Sequence, residues 1–586
     1  FFKEVLMSVN LKEKPFYLSD SQIEWVNKTK ERRTQEEKIQ QLFIHLTAKQ
    51  DEAYLKDVVT KWKFGGARFN PSSAENIAKH NFILQRETKI PLLIAANTES
   101  GGNGAYRGGT EVGCETKVAS TKDPHYAYEL GKVSAEEAKA VGINTLFAPI
   151  VDIDYQFHNP IIPYRTFGND PDRVKEFSLE FLKGVQEEGL LACAKHFPGD
   201  GVDERDQHLS LTSNTLSCEE WDKSYGKVYS ALIDASLPRI RVGHIALPSY
   251  QKKFAKDENI DVLPASVSKE ILTSLLRGKL GFNGLIVSDA THRVGLTASR
   301  KRSEFLPKRV EAGIDRILFY NDYDEDIEYR KNGLKKGLLS QERLEEAVTR
   351  ILATKARLDP SLRKPQETPI YSLMGTKEHR EVQDEVSDKG IVLVKEEKGV
   401  LPLSPEKGKR ILLVPQHEDS PFDNRMPKRG PSIYETIAHR LEEKGFQVTI
   451  FESLRDKAKR LPPREALSII SNVYNNKTPI KELTDNYDLV IHVCDFDTHN
   501  TVNRRTYKRS KGTPDVPWYV NELPTIRISL KNPFHLFDAP QVKTYINCYD
   551  KNPSTISHLI KKLTGEEKFL GVSPVDCFCL DPLCRK

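Results

Sequence analysis

Short apolar runs that end in polar or glycine residues recur along the first part of the chain: QLFIHL (41–46), FGGARF (64–69), LLIAAN (92–97), TLFAPI (145–150), LLACAKHF (190–197), IRVGHI (240–245), LIVSDA (285–290) and RILFYND (316–322). Between them lie amphipathic stretches such as AYELGKVSAEEAKAVG (127–142) and DRVKEFSLEFLKGVQEEG (172–189), with apolar positions at helical spacing. Strand and helix alternate, and parallel strands need such crossovers. Eight units predict an α/β fold, a (β/α)8 TIM-like barrel over residues 7–358, closed by the helical stretch LSQERLEEAVTRILATKARL (339–358). The Pro-rich polar segment 359–385 reads as a linker. Beyond it GIVLVKE, RILLVP, FQVTIFE, LVIHVCD, TIRISL and VKTYINCY alternate again with helical stretches, predicting a smaller α/β sandwich domain over 386–586. No GxGxxG follows its first strand and no P-loop is present, so nucleotide binding has no local support.

Composition narrows the partners. The chain has 586 residues, 38% of them hydrophobic and 29% charged, enough for two sizeable cores. A net charge of +5 is too weak to predict a nucleic-acid partner, and the basic run RRTYKRSK (504–511) reads as a solvated loop. No apolar run reaches the roughly 20 residues of a membrane span, so no membrane partner is expected. The eight cysteines are scattered rather than arranged as a disulfide framework, which predicts a reduced cytoplasmic chain. Cys577, Cys579 and Cys584 match no zinc spacing and read as thiols in a packed terminal segment. FFKEVL before Met7 is too short for a secretory signal and reads as an upstream extension.

In a barrel of this kind the chemistry sits at the carboxyl ends of the strands. Asn97 and Glu99, Asp152 and Asp154, Lys195 and His196, His244, Asp289, and Asn321 with Asp322 all follow their runs directly. In AKHFPGDGVDERDQH (194–208), Asp206 lies two residues from His208, close enough to fix the imidazole tautomer and raise its basicity; a solvated loop without a role is the plain alternative. Asp289 in GLIVSDATHRVG stands where a carboxylate can attack an anomeric carbon, or else cap the next helix. Glu99 reads either as a substrate contact or as part of a strand-to-loop turn, and His244 either as a pocket residue or as a histidine satisfied by rim backbone. Asp152 and Asp154 read as supports for the loop that carries Arg165. Asp203, Asp206, His208 and His196 hold ligating atoms, but no His-x-His on an early strand accompanies them, so neither a metal nor another cofactor is expected.

KHFPGDG with its following Asp-x-His, GLIVSDA, NPIIPYRTFGNDP (159–171), NTESGGNG (97–104) and PASVSKEILTSLLRGKLGFNG (264–284) together resemble glycoside hydrolase family 3, in particular its bacterial β-N-acetylhexosaminidase branch. The resemblance continues into the second domain at SDKGIVLVKEEKGVLPLS (387–404). It implies a retaining enzyme that removes terminal β-linked N-acetylglucosamine from chitin-derived or peptidoglycan-derived fragments. Asp289 becomes the nucleophile, His208 the acid/base and Asp206 its orienting partner, while Lys195, His196 and Arg165 grip sugar hydroxyls. The β-glucosidase branch instead takes its acid/base glutamate from the second domain. A β-glucosidase or β-xylosidase, a β-N-acetylglucosaminide phosphorylase and a non-catalytic sugar-binding relative are the alternatives. Two stretches depart from the family pattern: Asn97-Thr98-Glu99-Ser100-Gly101-Gly102 replaces Asp-Gln-Glu-Gly-Gly, and His292-Arg293 stands where Leu and Met are common.

Overall fold

The computed structural model describes residues 9–47, 51–70, 72–297, 300–417, 430–453, 457–458, 460–472, 479–496 and 514–586; Met7 with the residues before it and the basic run at 504–511 lie outside them. Strands β1 (Ile44–Thr47), β2 (Gly66–Phe69), β3 (Leu93–Ala96) and β4 (Thr145–Leu146) pair in parallel in that order. A second parallel group contains β5 (Cys193–Phe197), β7 (Arg239–Val242) and β9 (Leu285–Ser288), while β6 (Thr212–Ser213) and β8 (Ile245–Ala246) form a small pair of their own.

Backbone hydrogen bonds join the two main groups into a ring. On one side Leu146 N donates to Leu191 O and Cys193 N to Ala148 O, both at 2.9 Å. On the other, Arg316 N donates to Ile286 O at 3.0 Å and Ile317 N to Leu42 O at 2.8 Å. The run RILFYND therefore contributes only bridges at Arg316 and Ile317. It peels away because the Leu318 and Phe319 carbonyls accept from the Thr291 N–H and hydroxyl instead. In TLFAPI the regular ladder stops at Leu146, since Pro149 has no N–H to offer, and resumes as a single bridge between Ile150 and Lys195.

The staves also carry buried arginine. The guanidinium carbons of Arg239 and Arg241 lie 5.4 and 5.7 Å from the Phe147 ring centroid. Arg316 crowds Gly66, where a Cβ would stand 2.4 Å from a guanidinium nitrogen. The helices around the staves follow local rules. The helix Pro171–Glu187 starts with Pro at its first position, and the Asp170 carboxylate accepts from the Asp172 and Arg173 N–H groups. Its buried face is Val174, Phe177, Phe181, Leu182 and Val185, at helical spacing. It packs on the helix His125–Ala140 so closely that a Cβ on Gly131 would meet Phe181 O at 2.3 Å, and one on Gly184 would meet Tyr128 O at 2.2 Å.

Contacts divide the chain into one unit of Phe1–Glu115 with Asp123–Val382 and another of Thr116–Lys122 with Gln383–Lys586. Between 359 and 385 the chain makes short helical turns at Pro360–Arg363 and Tyr371–Leu373, then enters the helix Lys377–Lys389. The second unit holds a six-stranded sheet of β10 (Val392–Lys395), β11 (Arg410–His417), β12 (Gln447–Ile450), β13 (Leu489–Asp495), β14 (Thr525–Ser529) and β15 (Thr544–Asn547). The order is β10-β15-β14-β13-β11-β12, all parallel except β10. Ile411 and Leu413 face a core with Ile437, Leu441, Leu559 and Leu563, whereas Leu412 and Val414 pack on Tyr519 and Leu523, so both faces of the sheet are covered. Within this unit the Lys117 ammonium is fully buried and donates to Asp550 at 2.8 Å and to Thr555.

Gly131→Ala and Gly184→Ala are each expected to cost about 1–3 kcal/mol of stability, because a methyl group must push one helix backbone off the other. Denaturant midpoints measure this, and unchanged midpoints would show that the helices separate freely.

Candidate active site

Asp289 follows β9 immediately and is pinned to the end of β7 by its N–H, which donates to Val242 O at 2.9 Å. Its carboxylate is fully buried. Oδ1 accepts from Arg241 at 2.5 Å and from the Ala290 N–H at 2.6 Å, while among the described residues Oδ2 has no hydrogen-bond partner. The next helical turn begins only at Val294, so these bonds are not those of a helix cap. His208 Nε2 lies 3.9 Å from Oδ2. The other ring nitrogen, Nδ1, is 2.8 Å from Asp206 Oδ1, which also accepts the His208 N–H at 2.8 Å. Asp206 thus holds Nδ1–H toward itself and aims Nε2 at Asp289.

A second cluster stands beside this dyad. Glu99 takes a fork of Arg165 bonds at 2.9 and 3.0 Å and the Lys195 ammonium at 2.5 Å; Lys195 also donates to Phe147 O. Asn97 Nδ2 reaches Glu99 at 3.5 Å, and Asn97 Oδ1 is buried without a partner among the described residues. His196 Nδ1 lies 2.7 Å from Asp152, whose carboxylate also accepts the His196 and Asp200 N–H groups. His244 is enclosed by protein: its Nδ1 meets Ser266 Oγ and its Nε2 meets Ala290 O, both at 3.0 Å. The Asp152 and Thr166 segments are joined through the Thr166 hydroxyl and Asp152 O, and Asp154 N donates to Gly168 O at 3.1 Å, so this stretch supports the Arg165 loop.

Burial and neighbouring charge compete at each group. Burial alone would raise Asp289, but Arg241 and the histidines 208, 244 and 196 hold its carboxyl well below the usual range. Glu99 is likewise raised by burial and pulled well below by Arg165 and Lys195. Burial draws Lys195 down to about 8 despite Glu99, and His196 down to about 4 despite Asp152. His244 is drawn down to about 3 by burial. Asp206 is lowered; burial opposes this, and the His208 hydrogen bond overcomes it.

Sequence reasoning passed over Arg241 and Gln207. Arg239 and Arg241 alternate with Ile240 and Val242, so a charged residue at period two inside an apolar run was the available signal. Gln207 sits between the two members of the dyad and is fully buried. Its Nε2 donates to Asp200 at 2.6 Å, and its Oε1 accepts the His244 N–H at 2.9 Å, tying the dyad loop to β7.

The Glycosyl hydrolase family 3 N terminal domain matches residues 34–354, which contain every residue of this site. The chain belongs to glycoside hydrolase family 3. It is accordingly a glycosidase. It is 39% identical over 578 residues to a Beta-N-acetylglucosaminidase/beta-glucosidase of Cellulomonas fimi, covering 97% of this chain and 99% of the relative. Beta-hexosaminidase A of Pseudoalteromonas piscicida is 25% identical over 62% of this chain and 64% of its own. Among solved structures, Beta-glucoside phosphorylase BglX bound to 2FGlc superposes with a TM-score of 0.87 at 37% identity, covering 97% of this chain and 99% of that one. Family 3 structures thus share both the TIM-like first domain and the sheet-containing second.

Gln207→Leu leaves the buried Asp200 oxygen and the His244 N–H unpaired, so it is expected to cost about 1–3 kcal/mol of stability and to lower kcat. Denaturant titration beside steady-state kinetics checks both, and a fully stable, fully active variant would show that the dyad loop does not depend on this tie. Raising pH through about 8 removes the Lys195 proton and with it part of the charge that balances Glu99. On a 2,4-dinitrophenyl glycoside, whose departure needs no proton, kcat/KM is therefore expected still to fall above about pH 8. A profile that stays flat through that range contradicts this.

Proposed function

We propose that the enzyme removes terminal non-reducing β-linked N-acetylglucosamine, and β-linked glucose, with retention of configuration. The observation that carries this reading is the facing pair of His208 Nε2 and the unpartnered Asp289 Oδ2, 3.9 Å apart, with Asp206 behind the imidazole. Asp289 Oδ2 attacks C1 while the C1–O bond to the leaving group breaks and protonated His208 gives its proton to the departing oxygen. Arg241 and the Ala290 N–H keep Oδ1 in place, so Oδ2 holds the reactive lone pair. Asp206 holds Nδ1–H, so Nε2 is the atom that gives the proton in this step and takes one in the next. Glu99, Arg165, Lys195, His196 and Asn97 form the polar wall against which sugar hydroxyls bind; His244, bonded at both nitrogens, supports that wall. The names of the Cellulomonas fimi relative and of the hexosaminidases support the sugar assignment. Small carbohydrates cut from chitin or peptidoglycan remain the proposed substrates, and the cytoplasm the proposed location. Among the described residues no helix is long and apolar enough to cross a membrane.

A second reading is favoured by the acid/base being an imidazole. Once it has given up its proton it is neutral, so it leaves no second anion beside the glycosyl ester to repel an anionic acceptor. The 37% identical phosphorylase structure supports phosphate as that acceptor in place of water.

The test uses p-nitrophenyl β-N-acetylglucosaminide beside the β-glucoside and β-xyloside, with and without phosphate. Asp289→Asn is expected to lose about 10⁴-fold or more in turnover. His208→Ala is expected to lose about 10²–10⁴-fold on a poor leaving group and much less on a dinitrophenyl one. Full activity of Asp289→Asn removes the nucleophile assignment, and cleavage of the xyloside alone removes the sugar assignment.

A further inference from the structure

Around the dyad Asp289 pairs with Arg241 and Glu99 with Arg165 and Lys195, while imidazoles face Asp206 and Asp152. Among the described residues the guanidinium groups of Arg68 and Arg293 make no ion pair and no side-chain hydrogen bond, and the Nε of each is buried without an acceptor. Among the described residues Arg239 and Arg309 also lack an ion pair, but they are fully enclosed, whereas Arg68 and Arg293 are half-buried. Arg68 and Arg293 belong to the same electrostatic neighbourhood. Burial pulls Arg68 down to about 10, with Arg241 and Arg293 pushing the same way and Glu99 and Asp289 opposing; Arg293 in turn acts on Asp206. The Arg68 guanidinium lies 5.8 Å from the Phe319 ring centroid, and the ring of His292, the neighbour of Arg293, stacks on Phe319 at 6.4 Å and 26°.

Two half-buried guanidinium groups that repel each other, each with an Nε buried without an acceptor, carry an electrostatic cost. An anion brought by the reaction removes that cost, and guanidinium forks match the oxygens of phosphate.

We propose that Arg68 and Arg293 seat the acceptor phosphate that takes the glycosyl group from Asp289. This rests on the phosphorolysis reading above. The phosphate arrives as the monoanion and one of its oxygens bonds to C1. The C1–Oδ2 bond breaks, its electron pair returns to the Asp289 carboxylate, and one phosphate proton passes to His208 Nε2. The imidazolium needed for the next turnover is thereby restored, and the product leaves as the glycosyl phosphate monoanion.

The test reads how one glycosyl-enzyme divides between two acceptors, a ratio that does not change if part of a variant fails to fold. The full-length enzyme and its Arg68→Gln, Arg293→Leu and Arg293→Lys variants turn over the p-nitrophenyl β-N-acetylglucosaminide or β-glucoside with inorganic phosphate and methanol both present. The ratio of glycosyl phosphate to methyl glycoside is expected to fall about tenfold or more in Arg68→Gln and Arg293→Leu, with partial recovery in Arg293→Lys. If the unsubstituted enzyme forms glycosyl phosphate and the variants keep its ratio, the seat is wrong while phosphorolysis stands. If the unsubstituted enzyme forms none, both fall together. A ratio that holds while the variants lose turnover only on carboxylate-bearing aglycones overturns the proposal in favour of a leaving-group site.

Discussion

A carboxylate buried in the mouth of a barrel must either take up a proton or find a cation, and Asp289 finds Arg241. The rest of the site depends on that pairing. With Oδ1 held by Arg241 and the Ala290 N–H, Asp289 stays ionised, and its other oxygen is kept bare toward His208. Asp289 is also attached to β7 through its own N–H, so the strand that supplies the cation fixes the carboxylate backbone as well.

The same compensation governs the neighbouring cluster. Glu99 is enclosed yet ionised because Arg165 arrives from a loop and Lys195 from β5, and Lys195 is brought close to losing its own charge in return. Gln207 performs the neutral counterpart, spending both ends of its amide on Asp200 and His244 so that the residues on either side of it, Asp206 and His208, are presented in one orientation. The reactive geometry is therefore built from loops after several staves, each anchored by a buried polar tie, on a rigid ring.

Much of this was legible before any coordinates. The alternation of runs and helical stretches corresponded to staves, and the places where regular pairing stops early have local causes: the missing N–H of Pro149, and the capture of the Leu318 and Phe319 carbonyls by Thr291. Asp206 with His208 was visible because the two residues lie two positions apart in one loop. Arg241, by contrast, was hidden inside a run read as apolar, and the attachment of Thr116–Lys122 to the second unit through Lys117 has no mark in the sequence.

The sequence by itself determined the α/β architecture, the order of the elements and the chemical types gathered at strand ends, because periodicity and capping act over a few residues and are written locally. Only the tertiary structure decided which charges meet. Glu99 with Arg165 and Lys195, and Asp289 with Arg241 and His208, are pairings between distant segments. They are set by closure of the ring and by the steep dependence of electrostatic energy on distance and burial, neither of which a linear pattern contains.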